Sequence, residues 1–476
     1  MVDILISGGV LLTMDADRQR FENGAVAIDG STIRDVGPTP VLEERYSPDR
    51  HIDASGMVVF PGLINCHAHI SDVLFRGGIG SDRELYDWLY NVKLPGVGAM
   101  TPEEHAIASG LFTTELIQAG ATTVVENAVG SGSGYATDIV DAKVETYGAA
   151  GIRNVYGQSF IDADPDPDVV EFIELEMKKE PTVDHVHPES VVCDTDDGLE
   201  NIRSLIDRHH GANDGRQSVW PAPLFPYTTT DEGLVGCLEI AEEHDVMVTT
   251  HVAETEHELD GHHTPVEYLD AIGFLGERAL LGHCVYLSDR DIRLLAETGT
   301  SVSHNPLTNL ALGAGIAPVP NMIDKGVTVG LGTDNSSGSD TANMINDLRF
   351  AALIHKGSRR DPTVMSAERA LRMATIEAAK AIGREDDLGS IEPGKKADIA
   401  LLDLEYPHLT PHRDVVSTIV YQAQGFEVDT VLCNGDIVME DRSVHGIEKQ
   451  YPELTERANE LSATVVERAG LPQPPL

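Results

Sequence analysis

Two histidines one residue apart, His67 and His69, close the apolar run Phe60-Pro61-Gly62-Leu63-Ile64-Asn65-Cys66. In a strand, residues i and i+2 point to the same face. A buried strand ending here therefore delivers two neutral imidazoles side by side, an arrangement that can grip one metal ion. Taken alone, the pair reads equally well as two ordinary loop histidines. The later chain decides between these readings. Further apolar runs end in His251 (after Val246–Thr250), in His283 (after Ala279–Gly282), in His304 (after Gly299–Ser303) and in Asp334 (after Val327–Thr333). Chance does not easily put six such residues at the ends of β-branched runs.

Three imidazoles (His67, His69, His251) and one carboxylate (Asp334), with a position left open, suit a catalytic divalent ion. Such an ion lowers the pKa of a bound water towards 7. Asp334 can bind the ion and also hold a proton from that water. His283, one strand on, can orient or deprotonate the water, or polarise the group under attack. Glu254 follows His251 by three residues in His-Val-Ala-Glu. It can reach a substrate while His251 holds metal, and can carry a proton to a ring nitrogen and then to a leaving group. The plainer role for such a glutamate is a loop salt bridge. The run Gln217–Leu224 ends Trp220-Pro221-Ala222-Pro223-Leu224, without a lysine to be carboxylated between two metals. One divalent ion is expected.

These residues need a scaffold that gathers strand ends. From residue 57, apolar runs alternate with amphipathic segments such as Glu103–Gln118, Gly233–Glu243 and Asp289–Glu297. Besides those already named, the runs are Met57–Cys66, Ala121–Val125, Ile152–Tyr156 and Gln217–Leu224. Eight βα units predict a (β/α)8 TIM barrel, whose active sites sit at the C-terminal ends of its strands. Residues 1–57 and 389–476 read as short strands with Asp29-Gly30 and Asn434-Gly435 turns. They are expected to pair into a small β-sandwich flanking a barrel over 58–388, with a helix at Pro452–Ala469.

Several of these segments resemble the amidohydrolase superfamily along essentially the whole chain. They are Pro61–His69, His251–Glu254, Gly282–Cys284, Ser303–Pro306, Gly332–Asp334 and Gly389–Asp398. The chain is similar to the mononuclear deaminase branch, and within it to the atrazine chlorohydrolase and melamine deaminase-like hydrolases. Arg76–Gly78, Leu85–Leu89, Ser218–Pro223, His283–Tyr286, Ala317–Pro320, Gly332–Asn335, Asn343-Met344 and Thr418–Ala423 carry that likeness. The resemblance implies metal at His67, His69, His251 and Asp334, and catalysis by Glu254 and His283 with Asp334. It implies zinc, with iron(II) as the alternative, a homo-oligomer, and substrate-pocket roles for Trp88, Asn335 and His257. Gln158 and His304 join the pocket candidates. Gln158 stands where many relatives have arginine. Leu224 replaces the histidine of a Pro-His-x-Pro-Tyr-Thr motif, and Asp87 is one methylene shorter than a ribose-contacting glutamate. All three count against a nucleoside. Asn335 resembles the dechlorinating enzyme, His304 departs from it, and Gly338 matches neither the dechlorinating nor the deaminating enzyme. The expected activity is deamination of an N-heterocycle (triazine, purine, pyrimidine or pterin) by attack of metal-bound hydroxide. The alternatives are a triazine chlorohydrolase, an S-adenosylhomocysteine/methylthioadenosine deaminase and a non-catalytic scaffold.

The 476 residues carry 78 acidic and 34 basic side chains, a net charge of −44. That charge argues against nucleic-acid and anionic-membrane partners. No apolar run is long enough to span a bilayer, and Met1–Ser7 lacks the basic start and apolar core of a signal peptide, so a cytoplasmic enzyme is expected. The five cysteines are scattered, which argues against a disulfide framework. The acid is spread along the chain, as in Asp162–Asp168, Asp194–Asp197 and Glu385–Asp387. A surface of this kind suits high salt, where screening removes self-repulsion, and a halophilic source is expected. Dilution from about 2 M to about 0.1 M salt, which lengthens the Debye length to roughly 10 Å, should unfold the protein. Circular dichroism unchanged across that range would count against a salt-adapted surface.

Overall fold

The apolar run Met57–Cys66 is not one strand. It divides at Gly62 into Met57–Pro61 and Leu63–His69. The first piece pairs with Val2–Leu12 and with Ile399–Asp403 in a β-rich domain; the second opens the barrel. Gly62 permits the change of sheet, because a Cβ there would stand 2.3 Å from Cγ2 of Thr122. Periodicity does not reveal such a break, since both halves are equally apolar. The computed structural model describes residues 2–80, 82–130, 134–164, 191–259 and 263–471; the acidic run Asp162–Asp168 lies outside these from Pro165 onward.

Barrel strands 1 to 4 are Leu63–His69, Ala121–Ala128, Arg153–Gln158 and Gln217–Pro221. Strands 5 to 8 are Val248–Val252, Ala279–His283, Ser301–His304 and Val329–Leu331. All neighbouring pairs within the two arcs are parallel. Strands of this kind are buried on both faces and so read as near-continuous apolar runs. The connecting helices start where side chains supply the orphan N–H groups of a helix N-terminus. Thr101 with Glu104 caps Pro102–Gln118, Thr230 caps Asp231–Glu243, and Ser288 with Asp291 caps Asp289–Thr298.

Two seams join the arcs, and both run through candidate site residues. At one, the backbone N–H of His251 donates to the carbonyl of Leu224 at 3.2 Å. At the other, Asp334 and Asn335 pair in parallel with Ala68 and His69. Asn65 secures this second seam: its Nδ2 donates to Thr333 Oγ1 at 2.7 Å and its Oδ1 accepts from Thr333 N at 3.1 Å.

The terminal segments form one nine-stranded sheet in which the C-terminal strands meet the N-terminal ones where Ile399–Asp403 pairs with Met57–Pro61. Ile4, Ile6, Val26, Ile28 and Val59 share its core with Ile399, Leu401 and Leu432. A buried ion pair, Arg153 Nη2 to Asp398 Oδ1 at 3.1 Å, links barrel strand 3 to this domain. The final helix, Leu454–Arg468, lies against the barrel, with Arg468 bonded to Glu104 at 2.8 Å. Among the described residues no helix is long and apolar enough to cross a membrane.

Leu401 is fully buried in the shared core, whereas Leu353 is 49 % exposed. Leu401→Ala should cost about 2–5 kcal/mol of unfolding free energy, and Leu353→Ala no more than about 0.5 kcal/mol. Denaturant titration in high salt reads both; equal costs would show that the two terminal segments do not share one core.

Candidate active site

Strand ends bring His67, His69, His251, His283 and Asp334 to one point at the barrel mouth. The nitrogens of His67, His69 and His251 fall within 4.8 Å of one another, as do the ligand atoms of His67, His283 and Asp334. Asp334 Oδ1 lies 3.4 Å from His67 Nε2 and 3.3 Å from His69 Nε2. His283 Nε2 is 3.9 Å from the other oxygen of Asp334. All five side chains are buried.

The second ring nitrogens settle which atoms face inward. His69 Nδ1 donates to the carbonyl of Asn127 at 2.6 Å, and His251 Nδ1 to that of Leu224 at 2.7 Å. Each Nε2 therefore carries a lone pair, yet the two stand 3.2 Å apart. Two acceptors at that distance repel unless a cation lies between them. His67 Nε2 is buried with no hydrogen-bond partner. Its Nδ1 meets the carboxamide of Asn127 at 3.0 Å, which in one of its two orientations accepts from Nδ1–H and leaves Nε2 free. Burial keeps these three imidazoles below the usual histidine range, hence neutral. Burial opposes ionisation of Asp334, but the surrounding imidazoles of His283, His67 and His69 outweigh it and hold the carboxyl well below the usual range. Neutral nitrogens, one carboxylate and an orphaned lone pair form a donor set that fits a divalent ion.

Glu254 stands beside this set. Its Oε1 is 3.5 Å from His283 Nδ1. Burial first, and then Asp334, push its carboxyl well above the carboxylate range, against the pull of Lys93. Its loop is held by Glu258, which accepts from the backbone N–H groups of Ala253, Glu254 and Thr255 at 2.7, 2.7 and 3.0 Å. His283 Nδ1 donates to Asn309 Oδ1 at 2.8 Å. Several of these positions are strained: Ala253, His283, Cys284 and Asp334 have φ of 50°, 69°, 49° and 59°, in the left-handed region that disfavours side chains.

A family model, Amidohydrolase family, matches residues 58–438. The chain belongs to the amidohydrolase family. This amidohydrolase is 34 % identical to 5-methylthioadenosine/S-adenosylhomocysteine deaminase of Pelotomaculum thermopropionicum, over 94 % of this chain and 96 % of that one. It is also 34 % identical to the S-triazine hydrolase of Gordonia rubripertincta, over 99 % and 98 %. Among solved structures it resembles atrazine chlorohydrolase from Arthrobacter aurescens TC1 complexed with zinc, with a TM-score of 0.84, 27 % identity and coverage of 97 % and 100 %.

Not every predicted residue of the amidohydrolase joins the donor cluster. Trp88 is buried, its Nε1 donating to Ser337 Oγ at 2.8 Å. Asn335 lies next to Asp334, its Nδ2 3.5 Å from Asp334 Oδ2 and its Oδ1 accepting from Gly338 N at 2.7 Å. Gln158 is fully buried at the end of barrel strand 3, its amide engaged by Ser159 O at 2.6 Å and Tyr156 Oη at 3.3 Å. His304 is buried against His355 from the helix Met344–Arg359, Nε2 to Nε2 3.3 Å. His257 is exposed on the short turn Glu256–Leu259, its ring 6.3 Å from that of Tyr86. Sequence reasoning missed Asn127, Asn309 and Glu258, which orient the cluster without touching its centre. It also missed Lys93, a buried lysine in the apolar stretch Leu89–Pro95 of a chain with only ten lysines. That contrast was the available signal.

His251→Ala and Asp334→Asn should each cut the divalent metal that copurifies to below about one tenth of the wild-type amount. Elemental analysis measures it, and wild-type metal content in either variant would break the donor set.

Proposed function

We propose that this chain is a metal-dependent aminohydrolase that removes an exocyclic amino group from an N-heterocycle as ammonia. One observation carries the reading: a buried carboxyl biased towards its protonated form, Glu254, beside a cluster of neutral imidazoles and an ionised aspartate. That is an acid and a base with environments pushing them apart. When bound to His67, His69, His251 and Asp334, a divalent ion supplies Lewis acidity and an acidified water. Glu254 gives its proton to the ring nitrogen next to the carbon under attack, which makes that carbon electron-poor. Asp334 and His283 accept the proton that water loses as its oxygen bonds to the carbon. Glu254, reprotonated from that pool, delivers a proton to the amino group; the C–N bond breaks with its electron pair leaving on ammonia, and the hydroxyl left on the carbon returns its proton to Glu254 as the oxo group forms. Water and the amino-heterocycle become the oxo-heterocycle and ammonia.

Relatives at about one third identity are named as deaminases of adenosine derivatives and as a triazine hydrolase. Neither substrate transfers directly. Asp87, in the place of a ribose-contacting glutamate, is engaged by Arg83 at 2.9 and 3.0 Å and by Asn91 at 2.7 Å. Leu224 lacks a donor. For dechlorination, Asn335 is the supporting residue, yet a Cβ at Gly338 would stand 2.4 Å from its Oδ1. With serine or cysteine at 338, Asn335 would have to move, so the pocket differs from the dechlorinating pattern. In the same reading the ion is zinc, one per chain, with iron(II) as the alternative. The enzyme acts in the cytoplasm of a halophile as a homo-oligomer, which exposed Phe350, Leu353 and Phe426 support. The barrel over 58–388 carries the chemistry.

Glu254→Gln should keep its metal and lose about 10²–10⁴-fold in ammonia release from a screen of aminated heterocycles in high salt. Near-normal turnover would remove Glu254 from the mechanism. Chloride in place of ammonia would select dechlorination, and turnover of S-adenosylhomocysteine the adenosyl reading.

A further inference from the structure

Lys93 is a buried ammonium without a bonded partner. It is 2 % exposed, in the helical segment Leu89–Lys93. Among the described residues no oxygen hydrogen-bonds its Nζ and no carboxylate lies within 4.0 Å of it. Its recorded neighbour is the indole of Trp88, with Nζ 4.9 Å from the ring centroid. Its field nevertheless reaches Asp72, Asp334 and Glu254, and also His67 and His69. The Trp88 indole donates to Ser337, three residues past Asp334, and Ser337 donates to Asp72 in the turn after barrel strand 1, so the ammonium lies beside the turns that follow strands 1 and 8 at the barrel mouth.

The nearby carboxylate most able to pair with it is already engaged. Asp72 accepts from Ser336 N at 3.4 Å, Ser337 N at 3.3 Å and Ser337 Oγ at 2.9 Å. Its Nζ reaches open space, yet among apolar neighbours no protein acceptor meets its three N–H donors, which is costly for an ammonium. Metal binding gives no reason for it, because a second cation beside a divalent ion is repelled. Methionine or leucine would fill the same apolar space without that cost. An anionic ligand would supply the missing acceptor.

We propose that Lys93 determines specificity: its ammonium binds a carboxylate carried by the heterocycle whose amino group is removed. This rests on the deaminase reading above. The substrate class is then an aminated, planar N-heterocycle with an anionic substituent. A carboxylate accepts two of the ammonium's hydrogens in charge-assisted bonds. A neutral ring of the same shape leaves the ammonium unpaired, and discrimination of this kind is strong because the penalty falls on a buried polar group.

The test uses matched rings, pterin with pterin-6-carboxylate and cytosine with 5-carboxycytosine, on the metal-loaded protein in high salt. The expected wild-type kcat/KM favours a carboxylated member over its neutral partner by about tenfold or more. Lys93→Met should abolish that preference, chiefly through KM. Lys93→Arg should retain part of it. Equal turnover of both members by the wild type, or an equal loss on both in Lys93→Met, would overturn the proposal. If no ring releases ammonia, the deaminase reading falls, and Lys93 is judged by equilibrium binding followed through tryptophan fluorescence. Tighter binding of the carboxylated ring that disappears in Lys93→Met upholds it, and the absence of that difference overturns it.

Discussion

Lone pairs that point at one another hold the key position in this molecule. Two imidazoles with their Nδ1 protons committed to backbone carbonyls present Nε2 atoms 3.2 Å apart, with a carboxylate oxygen 3.3 Å from one of them. No arrangement of neutral protein atoms makes that favourable without a cation. The carbonyls of Asn127 and Leu224, the carboxamides of Asn127 and Asn309, and the left-handed backbone at His283 and Asp334 all serve to keep the set in place. Strain and repulsion of this sort persist only where the surrounding structure over-determines them. Here the surrounding structure is the closed barrel, whose two seams pass through His251 and Asp334.

The same constraint separates the roles of two acids. Asp334 is surrounded by nitrogen and stays ionised; Glu254 is surrounded by apolar burial and another carboxylate and tends to keep its proton. Their difference comes from position relative to the imidazoles, not from residue type. In the proposed reaction a heterocycle entering between them meets a proton donor on one side and a nucleophile on the other. The role proposed for Lys93 is to select which heterocycle enters, a question that the metal cluster itself leaves open.

The cluster was legible in the sequence because a parallel barrel concentrates information at strand ends. His67, His69, His251, His283 and Asp334 each follow an apolar run, and period-2 geometry with closure brings them together. Glu254 was legible by its spacing from His251. The residues at the rim were less so. His257 lies on an exposed turn and His304 packs against His355, contacts set by tertiary approach and invisible to spacing. Gln158 has its amide occupied by its own strand's neighbours. The division of Met57–Cys66 between two sheets was hidden for a related reason. A fully buried strand has no alternation to mark where its partner changes, and only the crowding at Gly62 gives the break away.

The strand Met57–Pro61 pairs on one side with Val2–Leu12 and on the other with Ile399–Asp403. One neighbour precedes the barrel in the chain and the other follows it. During synthesis the apolar stretch Val58-Val59-Phe60 must therefore expose an unpaired edge until the entire barrel has emerged. Such an edge is a template for association with another chain. Pro61 at its end blunts it, and nascent chains that carry this much negative charge repel one another. The acidity of the chain thus has a use before folding is complete, in keeping apart molecules whose terminal domain cannot yet close.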